Sequence, residues 1–200
     1  MNKRTNRLGF GVLLLWISAC SVSSTSEGDT LFKAGRYEAA VAAYDDYLTE
    51  NQTDVTTLYN RGRAYEEMGK YDQAMDDFNA VIQIDARNIN AFLSMAQVHY
   101  KLGEYSQALV DAGRALDLNE NSPRGHFLEG RSRHQLGYFD GALESYSLAV
   151  KLNPDLGDAY LYRGALKIQL NRPKSACEDL IKARNLEVEG ADEAMNKYCK

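Results

Sequence analysis

Histidine and cysteine are the side chains of this 200-residue chain best suited to metal or nucleophilic chemistry, and there are three of each. His126 and Glu129 stand one helical turn apart, a spacing that could in principle hold a metal ion. A packed histidine is the plainer reading, and the repeat described below favours it. The patterns HExxH, CxxC and GxSxG do not occur, and no glycine stands in the strand–GxxxxGK–helix setting that cradles phosphate. These residues define no catalytic group, no metal site and no cofactor, so an enzyme is not expected. Cys177 and Cys199 lie 22 residues apart at the C-terminal end. In an oxidising compartment they could form a disulfide, worth about 3 kcal/mol for a loop of that size, or stand as two thiols. The short terminal segment that carries Cys199 is of the kind that frays unless tied down.

The elements that position these residues follow one spacing. Glycine recurs every 34 residues at Gly35, Gly69, Gly103 and Gly137, with Asn171 in the fifth place. Five residues after each comes an alanine: Ala40, Ala74, Ala108, Ala142 and Ala176. Two residues after each comes a ring, at Tyr37, Tyr71, Tyr105 and Phe139, with Pro173 in the last unit. A fixed period of this length marks an array of one supersecondary unit. Apolar residues on both sides of each glycine fall at helical spacing. Each unit therefore reads as two amphipathic helices folded back at a glycine that accepts the left-handed conformation just past a helix end.

The expected helix pairs span residues 27–34 and 36–49, 55–68 and 71–84, 89–102 and 105–118, 123–136 and 139–152, and 157–170 and 172–186, with a last short helix over 191–198. The repeats fall at about 21–54, 55–88, 89–122, 123–156 and 157–190, so the array covers 27–190 and a cap covers 191–200. Ser24 and Glu27 have capping-box spacing, and Pro123 suits a first helical turn. Gly62, Ala96, Gly130 and Gly164 lack bulk where each first helix must approach its partner, and the rings fill gaps between neighbouring units. No helix pair buries its apolar face alone, so stability comes from stacking.

With Gly62, Tyr65, Ala74, Phe78 and Val81 in the second unit, Gly130, Ala142, Tyr146, Ala149 and Pro154 in the fourth, and Tyr160, Gly164, Ala176 and Ala183 in the fifth, the chain resembles the tetratricopeptide repeat (TPR) family. It departs from the pattern at Ala96, Ala112, Arg133 and Lys167. The resemblance implies an all-α fold, a right-handed superhelical solenoid of about five helix-turn-helix repeats with a short C-terminal capping helix. It places His126 at a seam, in the position of a family aromatic. It also implies a concave groove lined by the first helices, here by Tyr59, Leu93, Phe127 and Leu161, by Arg63, Gln97 and Arg131, by Glu66, Tyr100 and His134, and by Arg124. The Lys and Asn pattern with which chaperone-binding relatives clamp a terminal carboxylate is absent. An apolar floor with Arg63, Arg124 and Arg131 along it suits an extended or helical peptide with apolar anchors and some acidic side chains. The alternative is that these side chains only decorate a solvated face or pack between units.

The N-terminus carries a separate signal. Lys3, Arg4 and Arg7 precede the uncharged run 8–19, which is too short to span a bilayer as a helix but suits a signal-peptide core. Ile17-Ser18-Ala19-Cys20 resembles the bacterial lipobox, which implies cleavage after residue 19 and lipidation of Cys20; an ordinary signal peptide with an unrelated cysteine is the alternative. Two or three acyl chains anchor far better than one, each buried CH₂ adding about 0.8 kcal/mol. Residues 20–26 then form a lipidated tether reaching on the order of 20 Å. Ser21 after the cysteine resembles an enterobacterial outer-membrane sorting signal, and the implied location is the bacterial cell envelope, at the periplasmic face of the outer membrane.

Without its three N-terminal cations the chain has a formal charge of about −8, the opposite of a nucleic-acid footprint. Much of the acid lies on the second helices, at Asp45, Asp46, Asp72, Asp76, Asp77, Asp111, Glu144, Glu178 and Asp179, and reads as a solvated convex face. The expected function is a membrane-anchored adaptor that holds an envelope protein or peptide in its groove, with no small-molecule substrate. The alternative is a structural or assembly subunit that uses its edges or convex face.

Overall fold

The computed structural model describes residues 25–199; the expected signal peptide, Cys20 and Ser24 lie outside them. The described residues form eleven helices and no strand: α1 (Thr25–Lys33), α2 (Tyr37–Glu50), α3 (Val55–Glu67), α4 (Tyr71–Ile84), α5 (Ile89–Lys101), α6 (Tyr105–Leu118), α7 (Pro123–Gln135), α8 (Phe139–Leu152), α9 (Gly157–Gln169), α10 (Pro173–Asn185) and α11 (Ala191–Tyr198). Each helix packs on the next, as a solenoid requires. The first helices also approach one another across units, α1 with α3, α3 with α5, α5 with α7 and α7 with α9, whereas no two second helices make such contact. The inner layer is therefore the tighter one, and the array curves with its first helices on the concave side.

The turns explain the period. Gly35, Gly69, Gly103 and Gly137 have φ between +71° and +81°, and Asn171 takes φ +55° in their place. Around Gly69 the Gly69 N–H donates to the Glu66 carbonyl and the Lys70 N–H to the Tyr65 carbonyl, closing the helix end with paired backbone bonds. At the opposite turn a second register appears: Asp54, Asn88 and Ser122 accept from the backbone N–H three residues on and cap α3, α5 and α7. Leu156 occupies that place in the last unit and provides no side-chain cap.

Close packing within each hairpin depends on the small residues. A Cβ at Gly62 would lie 2.7 Å from the Phe78 ring, at Gly130 2.7 Å from Tyr146, and at Gly164 3.0 Å from Leu180. In the third unit Ala96 packs in one cluster with Ala112, which stands where the other units carry the large side chain. Gly28 continues the series under Tyr44. The rings after each turn close partly on their own unit, as in the Tyr100–Tyr105 pair at 5.2 Å, while Tyr71 also joins a cluster holding Met95 and Val98 of α5.

The second helices are not uniformly solvated. Asp45, Asp46, Asp72, Asp76, Glu144 and Glu178 are exposed, but Asp77, Asp111 and Asp179 are buried. The same 34-residue register that repeats the packing brings each of them against a basic side chain of its own first helix, an arginine for Asp77 and Asp179 and a histidine for Asp111. Arg61 donates to both Asp77 oxygens at 2.9 and 2.6 Å and reaches Asp45 of the preceding unit at 2.6 Å. Arg163 grips Asp179 in the same way, with Lys167 Nζ 2.7 Å from it. His99 Nδ1 lies 2.7 Å from Asp111. In the fourth unit Ser145 stands in the acid's place and Glu129 in that of the arginine, and Arg133 bonds both. Burial pushes the Asp77 and Asp111 carboxyls above the ordinary range, and the hydrogen bonds from Arg61 and His99 only partly oppose it.

Cys177 of α10 and Cys199 beyond α11 are joined by a disulfide with their Cα atoms 5.6 Å apart. The bridge ties the last helix to the fifth unit.

Candidate partner-binding groove

The curvature brings side chains from α3, α5, α7 and α9 to one concave face, although not in the roles that their spacing implies. Leu93 and Phe127 are buried and hold the inner helix layer together. Glu66 is a further correction: it is 1 % exposed and is not a groove-facing group. Its register turns it into the contact between α3 and α5, where a carboxylate needs cations and donors around it. Gln97 Nε2 donates to it at 2.7 Å and Lys101 Nζ at 2.9 Å. Arg63 Nε lies 3.1 Å from its other oxygen, an ion pair without hydrogen-bond alignment. Arg124 donates in turn to the Gln97 carbonyl oxygen at 2.8 Å. Arg63, Glu66, Gln97 and Arg124 thus form one polar chain across three units.

The remaining residues edge the groove. Tyr59 is half-buried, its hydroxyl 3.2 Å from Ser94 Oγ. Tyr100 accepts a bond from Gln135 at 3.2 Å. His134 Nε2 lies 3.0 Å from the Gln169 side-chain oxygen, its ring edge-on to Phe139. Leu161 is half-buried beside the exposed Ala165. Arg131 differs from the other arginines: its guanidinium carbon lies 3.8 Å from the Tyr100 ring centre, 4.9 Å from that of Tyr162 and 5.6 Å from that of Phe127.

A pocket of about 210 Å³ opens where the groove begins, lined by Asp29, Phe32, Lys33, Tyr44, Tyr59, Asn60 and Arg63. Asp29 accepts from the Tyr44 hydroxyl at 2.8 Å and from Asn60 at 2.9 Å. The three α1 residues went unnoticed in the sequence because the first unit is short. Asp29, Phe32 and Lys33 nonetheless stand 34 residues before Arg63, Glu66 and Glu67, and that register could have found them.

Elsewhere, His126 Nε2 lies 2.8 Å from the Glu120 carbonyl oxygen and its Nδ1 3.6 Å from Glu129. Among the described residues no group of three histidines, cysteines or acids could hold a metal ion. No described helix is long and apolar enough to cross a membrane.

Helix hairpins repeating every 34 residues around a groove of this kind define a repeat scaffold for protein interactions. Family models of this kind match the chain over its middle: a TPR repeat model matches residues 62–103 and a tetratricopeptide repeat model residues 93–157. Solved structures share the fold. MamA (41-end) from Desulfovibrio magneticus RS-1 is 21 % identical, with a TM-score of 0.71 over 81 % of this chain and 92 % of its own. TTC0263 from Thermus thermophilus is 23 % identical, with a TM-score of 0.70 over 86 % and 93 %. YrrB, described as a TPR protein with an unusual peptide-binding site, is 26 % identical, with a TM-score of 0.64 over 86 % and 90 %. A search of curated proteins finds no match.

Proposed function

We propose that this protein is a lipid-anchored adaptor of the bacterial cell envelope that holds a segment of a partner protein in its concave groove. The observation that carries the reading is the continuous concave face, which combines half-buried rings, arginines and a pocket at one end. Such surfaces take extended or helical segments through a few buried anchors, and a peptide-binding site is named for YrrB, which shares the fold. The lipobox-like Ile17-Ser18-Ala19-Cys20 supports the anchor, and the short polar stretch after it holds the solenoid near the lipid, at the periplasmic face of the outer membrane.

The test fills the groove without touching the core. Thr56, Asn90 and Ala165 are exposed and occupy concave register positions. Replacing all three with Trp is expected to abolish co-purification of crosslinked envelope partners while leaving helicity unchanged. Partners that survive the triple substitution would reject the groove and favour an edge or convex surface. In the same cells Cys20→Ser is expected to move the protein from the membrane fraction to the soluble one; unchanged fractionation would reject the anchor.

A further inference from the structure

We infer that Arg131 is the subsite at which the groove takes a side-chain carboxylate from an acidic residue of the bound partner segment. The inference rests on the groove reading and names the chemistry of one position within it.

Three arginines point to this face in the sequence, and the structure separates them. Arg63 is ion-paired with Glu66 and Glu67, and Arg124 is hydrogen-bonded to Gln97. Arg61, Arg133 and Arg163 are likewise held by Asp or Glu. Arg131 pairs with no described carboxylate; its contacts are the rings of Tyr100, Tyr162 and Phe127. Its Nε is buried without a hydrogen-bond partner. The same aromatic box contains Tyr146, its ring 6.2 Å from Phe127 and 6.3 Å from Tyr162, fully buried and with its hydroxyl also unpartnered. Unsatisfied buried donors are rare and costly, and one of them belongs to Arg131.

Stacking against rings from α5 and α9 fixes the guanidinium plane while leaving its in-plane N–H donors unused, so a carboxylate meets a preorganised partner. Concave register positions lie on both sides of Arg131, at Gln97 on α5 and at Leu161 and Ile168 on α9. A segment passing through therefore presents a side chain there, not its terminus. The body's formal charge, about −8 without the leader, disfavours polyacidic partners at a distance. The site fits a segment with one or two acids among apolar anchors.

The test uses the protein without residues 1–19, with Cys20 replaced by Ser, as bait for a phage-displayed random dodecapeptide library. Wild-type protein is expected to enrich peptides with Asp or Glu at one fixed position. Exchanging that residue for Asn or Gln in a synthetic, C-terminally amidated peptide is expected to weaken binding about ten- to a hundredfold, the usual range for a lost charged hydrogen bond. Arg131→Gln is expected to erase the difference between the acidic and amide peptides, whereas Arg131→Lys, which keeps the charge, retains part of it. Peptides that are blocked by the triple Trp substitution but show no acid position would leave the groove standing and overturn the assignment of Arg131. The same holds if Arg131→Gln weakens acidic and amide peptides equally, or if only free C-termini bind. Enriched peptides that ignore the triple substitution, or no enrichment at all, would overturn the groove reading and this inference with it.

Discussion

The Phe78 ring lies against the backbone of Gly62, so closely that a methyl group there would come within 2.7 Å of it. Phe78 is fully buried and has no room to retreat. Gly62→Ala is expected to destabilise the protein by about 1–3 kcal/mol through overpacking, despite alanine's better helix propensity. In a Phe78→Ala background the same change should cost nothing, because it recreates the Ala96–Ala112 arrangement of the third unit. Urea unfolding of all four members of the cycle reads the coupling; additive effects would refute the pairing.

Breaking a buried ion pair by removing one partner costs about 3–5 kcal/mol. Asp179→Ala, which strands Arg163 and Lys167, is therefore expected to lower the unfolding midpoint strongly. Asp72→Ala on the exposed face of α4 should shift it by no more than about 0.5 kcal/mol. Equal effects in thermal scans would return Asp179 to the solvated face.

The Asp77 carboxyl is raised above its ordinary value of 3.8, burial outweighing Arg61. A raised folded-state value means that protonation favours the fold. The contribution is fully present below 3.8 and is lost as pH rises through the elevated value. Relative to Asp77→Asn, which does not titrate there, the wild type should gain stability as pH falls from 7 towards 4. Paired urea titrations at several pH values check the sign; a relative loss would mean that the ion pair dominates.

The Cys177–Cys199 bridge should act locally. Reduction, or Cys199→Ser, is expected to remove about 3 kcal/mol of constraint from the α10–α11 end while α3–α8 keep their protection. Hydrogen exchange of α11 amides with and without reductant reports it. Unchanged exchange would show that α11 docks without the bridge.

Helix positions and turns were legible because each depends on local chemistry. Glycine or asparagine closes a helix, and apolar residues at helical spacing mark its buried face. Helices α4, α6, α8 and α11 therefore match expectation, and the others differ by a residue or two at their ends. The groove was less legible. Spacing places Glu66, Leu93 and Phe127 on the inner layer, but how far each turns towards a neighbouring helix depends on how tightly the units stack.

Sequence alone determined the repeating hairpin, since period, caps and small residues are properties of each 34-residue unit read by itself. Tertiary structure decided which charges are spoken for. Asp77, Asp111 and Asp179 resemble surface acids until their own first helix brings an arginine or a histidine over them, and Arg131 resembles Arg63 until three rings from successive units close round it. The Asp pairs cross 12 to 16 residues and Arg131 reaches Tyr100 and Tyr162 across 31, so only tertiary packing brings these partners together.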